Sequence, residues 1–311
     1  MSDAAVVAAS SEAIRKGSQS FAAAARLFDP ETRDDCVMLY AWCRHCDDVI
    51  DGQSLGHDAR ADYRDGQEER LALLRAQTHA AANGQPADDP VFKALAAVVK
   101  RKRIPTRHLD ELLDGFAMDV AERQYATAND TLDYAYHVAG VVGVMMAMIM
   151  DVRDPKILDR ASDLGLGFQL TNIARDVVDD ARAGRVYVPA EWLAEEGLAE
   201  VNADDQAQWP ALYRVALRLL DTAEPYYESA RIGMAHLPWR SAWAIAAARR
   251  VYRAIGTRLR ARGPEAWHKR VSTSTAEKLV LVGLALGDVI ASRFSKSDPP
   301  RTGLYDRPGR G

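Results

Sequence analysis

Two clusters of short acids constrain this chain more than any other feature. Asp47-Asp48-Val49-Ile50-Asp51 is answered far downstream by Asp176-Val177-Val178-Asp179-Asp180. Each holds an Asp-x-x-x-Asp pair, Asp47 with Asp51 and Asp176 with Asp180. On a helix, positions i and i+4 share a face with Cβ atoms about 5–6 Å apart, and like charges there repel. Aspartate is also a poor residue for a helix interior. The stripes run backward from the acids. Tyr40, Arg44, Asp47 and Asp51 are spaced 4, 3 and 4; Gln169, Asn172, Asp176 and Asp180 are spaced 3, 4 and 4. Opposite the second stripe lies an apolar one, Leu166, Leu170, Ile173 and Val177. The plain alternative is a solvated helix face, but such faces favour Glu and Lys in i,i+4 pairs. Short acids, amides, Arg and Tyr turn more readily toward a polar cavity.

The rest of the chain predicts helices around that cavity. Helix formers dominate and alternating β-branched runs are scarce. Punctuation falls at Asp29-Pro30, Asp89-Pro90, Ile104-Pro105, Asp154-Pro155, Val188-Pro189, Leu237-Pro238 and Gly263-Pro264. The windows between predict about eight or more helices in one domain over residues 1–294, with Thr106 as a candidate cap. Residues 295–311 (SKSDPPRTGLYDRPGRG) are rich in Pro, Gly and charge and read as a disordered, dispensable tail. The apolar runs at residues 138–150 and 279–286 are shorter than the roughly 20 residues of a membrane span and read as core helices.

Composition narrows the function. Forty basic against 44 acidic residues give a net charge of −4, without the basic surplus of a nucleic-acid binder. The first residues carry acids and serines and no basic stretch ahead of an apolar run, so a secretory signal is not expected. Three cysteines, Cys36, Cys43 and Cys46, cannot close a disulfide framework, so a reducing, cytoplasmic location is expected. Cys43-x-x-Cys46 lacks the second pair of a zinc site, and Glu265-x-x-His268 lacks the partners of a di-iron site. His137 reads as a buried, hydrogen-bonded histidine or a cavity base. Arg249, Arg250 and the basic run at residues 100–103 read as solvated. Met145, Met146, Met148, Met150 and Phe168, at helical spacing, read as core more than as pocket.

Paired acids on facing walls suit divalent cations. Mg²⁺ takes octahedral oxygen ligands and is commonly held by one or two carboxylates plus substrate phosphates. Such ions act as Lewis acids on a diphosphate leaving group. Ionisation of an allylic diphosphate leaves a carbocation, so Arg44 and Arg175 would stabilise the departing charge while an apolar, aromatic pocket excludes water.

The stretches SQSF (residues 18–21), LYAWCRHCDDVID (39–51), YAYHVAGVVG (134–143) and GFQLTNIARDVVDDARAGRVYVP (167–189) resemble the squalene and phytoene synthases, head-to-head prenyl transferases. The likeness is strongest to the bacterial carotenoid branch. It implies an all-α isoprenoid-synthase bundle around a central apolar cavity. It implies Mg²⁺ or Mn²⁺ bridging diphosphate through Asp47, Asp51, Asp176 and Asp180, with Asn172 as a further contact and Gln169 as its neighbour. Ser18, Ser20, Tyr40, Arg44, Arg175, Arg185 and Tyr187 are implied diphosphate contacts, and Tyr134 is implied in cation stabilisation or proton handling. Ala135 stands where many relatives carry Cys. The implied reaction joins two geranylgeranyl diphosphates through a cyclopropyl diphosphate to phytoene, with no NADPH. The alternatives are squalene-type coupling of two farnesyl diphosphates, or a helical scaffold whose acids merely bind cations. Substrate and product are greasy, so peripheral contact with the inner membrane face is expected.

Overall fold

A computed structural model describes residues 23–53, 63–294 and 298–309. Those residues hold eleven α-helices and no strand. They are α1 (Pro30–Asp51), α2 (Gln67–Ala82), α3 (Pro90–Lys102), α4 (Thr106–Val120), α5 (Ala128–Ala135), α6 (Val141–Ile149), α7 (Pro155–Arg182), α8 (Ala190–Glu195), α9 (Trp209–Gly233), α10 (Trp239–Arg262) and α11 (Thr275–Phe294). Three Asp-Pro dipeptides become helix starts. Asp29, Asp89 and Asp154 each accept a bond from a first-turn N–H, and the following proline occupies the first turn, where its missing N–H costs nothing. Thr106 is not a cap: α4 starts on it, Pro105 takes the cap position, and no side-chain cap bond forms.

Helix α7 is the spine. It packs most extensively on α9 and runs beside α6 and α10. The α6–α7 crossing is close because glycines face backbone: a Cβ on Gly143 would sit 2.3 Å from the Ala161 carbonyl, and one on Gly165 2.2 Å from that of Ala139. Between α5 and α6 the chain forms one π-helical segment, Tyr136–Gly140, beginning two residues after Tyr134. Such single-turn bulges re-aim the flanking side chains and recur at functional sites. The continuous run Ala128–Ile149 has 22 residues and is apolar enough to cross a membrane by length and composition. Here it is a core helix, with Val144, Met145 and Ile149 fully buried.

Several expectations from the sequence are corrected. Of the tail expected to be disordered, residues 298–309 are docked, while 295–297 and 310–311 lie outside the described residues. Arg301 gives Asp163 two bonds of 2.8 and 2.6 Å, Arg307 gives Asp159 one of 2.6 Å, and Asp298 accepts Arg160 at 2.5 Å. Tyr305 adds a bond from its hydroxyl to Asp133 and one from its N–H to the Tyr226 hydroxyl. Composition misleads here because the tail binds by matching buried acids of α7, not by supplying apolar side chains. Arg249 is buried and donates to the Tyr227 carbonyl, and Arg250 pairs with Asp288. Lys102 is buried between Asp35 and Asp151. Helix α11, expected in the core, buries only one face and leaves Leu279, Val280 and Leu284 exposed.

Candidate active site

A cavity of about 790 Å³ runs through the bundle, toward the upper end of the roughly 300–1,000 Å³ typical of ligand pockets. Its interior is apolar: Phe116, Val138, Val142, Met146, Met150, Leu164, Phe168, Met234 and Ile245 line it. Its other end is charged, lined by Asp47, Asp51, Asp119, Asp176, Asp180, Arg44, Arg175, Arg185 and Arg270. Met146, Met150 and Phe168 are therefore channel residues. Met145 and Met148 are buried core.

The two acidic faces meet there. Helix α1 presents Tyr40, Arg44, Asp47 and Asp51; α7 presents Gln169, Asn172, Asp176 and Asp180. Arg185, just beyond α7, ties the walls together with two bonds to Asp51, one at 3.0 Å. Arg44 donates to Asp47 at 2.5 Å and to the Tyr40 hydroxyl at 3.3 Å, while its buried Nε lacks a partner among the described residues. Asp176 is gripped from two sides, by Arg175 (2.7 Å from Nε) and by Arg270 (3.0 and 2.8 Å). The Asn172 amide donates to Gln169 at 3.4 Å. Ser18 and Ser20 lie outside the described residues.

Burial and charge crowding set the protonation of these acids. Burial, opposed by Arg44 and reinforced by Asp51, pushes Asp47 up to about 7. Its side chain keeps 36% exposure, toward the cavity. Burial and the Asp176 charge push Asp180 up to about 8. Asp176 goes the other way: its two arginines outweigh burial and hold it below the usual carboxylate range. Asp47 and Asp180 stay raised even though Arg44 faces the one and Arg185 and Arg175 the other, and a divalent cation is a partner that suits such all-oxygen ligands. Among the described residues no three of these side chains converge on one metal position, so the donor set fits a cation that takes its remaining ligands from a substrate diphosphate.

Behind the Asp walls stands an aromatic cluster. Tyr134 and Tyr187 stack at 4.5 Å, and both hydroxyls donate to Asp119, at 3.2 and 3.0 Å. Burial pushes Asp119 up to about 6 and both phenols well above their ordinary range. Sequence reasoning missed Asp119, although Leu112, Phe116 and Asp119 fall at helical spacing and all line the cavity. It also missed Arg270, which approaches Asp176 from 94 residues away and carries no local signal, and Tyr252, stacked on Phe168 at 4.0 Å.

His137 turns out to bond the Asp133 carbonyl at 2.8 Å. The thiols are free and buried or half-buried, and burial pushes that of Cys43 up to about 12. Glu265 and His268 form an exposed pair at 2.6 Å.

The squalene/phytoene synthase family model matches residues 14–277. The chain belongs to the squalene/phytoene synthase family. A 15-cis-phytoene synthase from Paracoccus sp. is 56% identical over 308 residues, covering 99% of each chain. One from Pantoea ananas is 52% identical over 297 residues, 96% of each. Among solved structures, a ligand-bound dehydrosqualene synthase superposes with a TM-score of 0.79 at 26% identity, over 93% of this chain and 98% of that one. A squalene synthase from Alicyclobacillus acidocaldarius gives 0.72 at 21% identity, over 83% and 94%, and shares the fold. The family's fold is thus the all-α isoprenoid-synthase bundle described above.

Proposed function

We propose that this chain is a 15-cis-phytoene synthase, condensing two geranylgeranyl diphosphates head to head and releasing diphosphate at each of two ionisations. The observation that carries the reading is the pair of acidic walls, bridged by Arg185 and Asp51, at the charged end of a deep apolar cavity. The names of the full-length relatives support the choice of product.

Asp47, Asp51, Asp176 and Asp180 would hold Mg²⁺ or Mn²⁺, with Asn172 beside them. When bound, the ions supply Lewis-acid stabilisation of the leaving diphosphate. The arginines do the remaining electrostatic work. Arg44, Arg175, Arg185 and Arg270 now neutralise the acids; with cations on those acids, their N–H groups are released to the diphosphate oxygens. The unpartnered Nε of Arg44 is already free for such an acceptor. Phe168, Tyr252, Phe116 and the methionines keep water from the allylic cation, and aromatic faces favour positive charge. Tyr134 and Tyr187, oriented by Asp119, stand between diphosphate end and hydrocarbon interior, placed to orient the reacting chain and manage the departing proton.

Product identification after incubating the purified protein with geranylgeranyl diphosphate and Mg²⁺ tests the reading; phytoene and diphosphate are expected. Farnesyl diphosphate with and without NADPH forms the second arm. A squalene-type product there, with none from the longer substrate, overturns the assignment. Asp47→Asn or Asp176→Asn should abolish turnover in a folded protein, and near-normal diphosphate release by either at saturating Mg²⁺ removes those residues from the site.

A further inference from the structure

A charged side chain stands at the hydrocarbon end of the cavity, where the proposed chemistry has no use for it. Arg160 of α7 lines that end with Ile157 and Leu164, beside Ala230, Gly233 and Met234. It is buried, and its guanidinium is held by groups that do not line the cavity. Nη1 donates to the Ser229 hydroxyl at 3.1 Å; Nη2 donates to Asp298 at 2.5 Å and to the Pro299 carbonyl at 2.8 Å. An arginine whose head is bound elsewhere presents its methylene stem to an apolar space. Gly233 makes room for that stem: a Cβ there would sit 2.9 Å from the Arg160 Cβ.

The head is fixed from outside. Asp298 and Pro299 of the docked tail hold it, and the Asp298 side chain is 64% exposed, so solvent lies beyond. The stem cannot swing aside for a longer ligand without breaking its bonds to Ser229 and the tail. An unanchored leucine or methionine in its place could change rotamer and yield.

Distance gives this floor a meaning. From Asp176 through Asn172, Phe168 and Leu164 to Arg160, one face of α7 lines the cavity. Sixteen residue steps at 1.5 Å each span about 24 Å. A cation between carboxylate and diphosphate, with ligand distances of about 2.1 Å on either side, takes about 4 Å of that and leaves about 20 Å. A prenyl chain has four backbone carbons per five-carbon unit, and each bond of about 1.5 Å advances the extended chain by about 1.25 Å. Four units then reach about 19 Å and end at Arg160, three stop about 6 Å short, and five overrun the floor by about 4 Å.

We propose that the stem of Arg160, pinned by Ser229 and residues 298–299, is the floor of the prenyl cavity and sets the longest chain the site accepts at twenty carbons. That the ligand is a prenyl diphosphate rests on the function proposed above. The floor decides which length is admitted and gives the C-terminal segment a part in specificity.

Isothermal titration with unreactive prenyl thiolodiphosphates of fifteen, twenty and twenty-five carbons, in Mg²⁺, reads the limit as affinity and needs no turnover. The wild type should bind the twenty-carbon analogue about tenfold or more tighter than the fifteen-carbon one, whose missing unit leaves apolar surface uncovered. It should bind the twenty-five-carbon analogue about tenfold or more weaker than the twenty-carbon one, because the last unit has no place. Arg160→Ala should bring the two longer analogues to within about twofold of each other, since the floor recedes by most of a side chain. Arg160→Leu, a shorter stem in an apolar wall, should shift the ratio the same way and carries the test if the alanine variant does not fold. Arg160→Lys keeps a stem and a cation for Asp298 and should hold the wild-type ratio to within about threefold. Circular dichroism shows that each variant is folded, and a ratio of affinities is insensitive to a general loss of stability. A wild type that binds twenty-five carbons as tightly as twenty overturns the proposal with no variant needed. So does a folded Arg160→Ala or Arg160→Leu protein with the wild-type ratio, or an Arg160→Lys protein that loses the limit as fully as alanine does. Phytoene from geranylgeranyl diphosphate with no length limit in binding removes the floor and leaves the function standing. A squalene-type product beside a limit at twenty carbons removes the function and leaves the floor.

Discussion

Replacing Arg301 by alanine tests whether residues 298–309 belong to the folded unit. Asp163 is completely buried, and its carboxylate accepts from Arg301 (2.8 and 2.6 Å) and from the Ser229 hydroxyl (2.5 Å). Burial raises the Asp163 pKa and Arg301 opposes that rise. Removing the arginine leaves a buried charge with one neutral donor. Breaking such a pair from one side costs about 3–5 kcal/mol. Unfolding entropy of about 2.1 cal/mol/K per residue over 311 residues is about 0.65 kcal/mol/K, so Tm should fall by about 5–8 °C. The loss should shrink toward acid pH, because without Arg301 the carboxyl escapes its penalty by taking a proton, and that costs more as pH rises. Thermal unfolding by circular dichroism at pH 5 and pH 8 reads both effects. Arg301→Met combined with Asp163→Leu should recover most of the stability, since charge and partner leave together. An Arg301→Ala protein melting within a degree of wild type at pH 8 would refute the reasoning and restore the tail to a dispensable appendage.

Asp119→Asn should lower kcat about 10- to 100-fold with little change in KM, because it loosens the Tyr134 and Tyr187 hydroxyls without replacing any of the acids proposed to hold the metal; steady-state kinetics beside Tyr134→Phe checks this, and equal loss in KM instead points to substrate binding. Gly165→Ala should destabilise by about 1–3 kcal/mol or more, since its Cβ meets the Ala139 carbonyl at 2.2 Å; an unchanged denaturation midpoint contradicts the close crossing. Without divalent cation, stability should fall as pH rises from about 4 to about 8. In that window folded Asp47 and Asp180, raised to about 7 and 8, still hold protons that the unfolded chain has released. Added Mg²⁺ should raise Tm more at pH 8 than at pH 6, and a pH-independent shift would remove those acids from the proposed metal site.

Much of the site was readable as sequence because helical periodicity is local. The i,i+4 spacing that put Asp47 with Asp51 and Asp176 with Asp180 on one face depends only on backbone geometry, and the same stripes carried Tyr40, Arg44, Gln169 and Asn172 into the cavity. The Asp-Pro starts at Asp29, Asp89 and Asp154 were equally local, since a cap acts within one turn. Composition and pattern likewise determined the all-α class. The tertiary structure alone decided which distant groups meet those faces. Arg185 on Asp51 and Arg270 on Asp176 pair across long stretches of chain: the family likeness put Arg185 at the diphosphate but did not give its partner, and no local signal marks Arg270 at all. The same holds for Arg249 and for the tail, whose Arg301 and Arg307 find buried acids on α7. Helix α11 shows the converse: its apolar pattern marks a helix, but packing decides which apolar residues find a neighbour, and one whole face found none. Periodicity states which side chains stand together on an element; only the closed bundle states what stands opposite them.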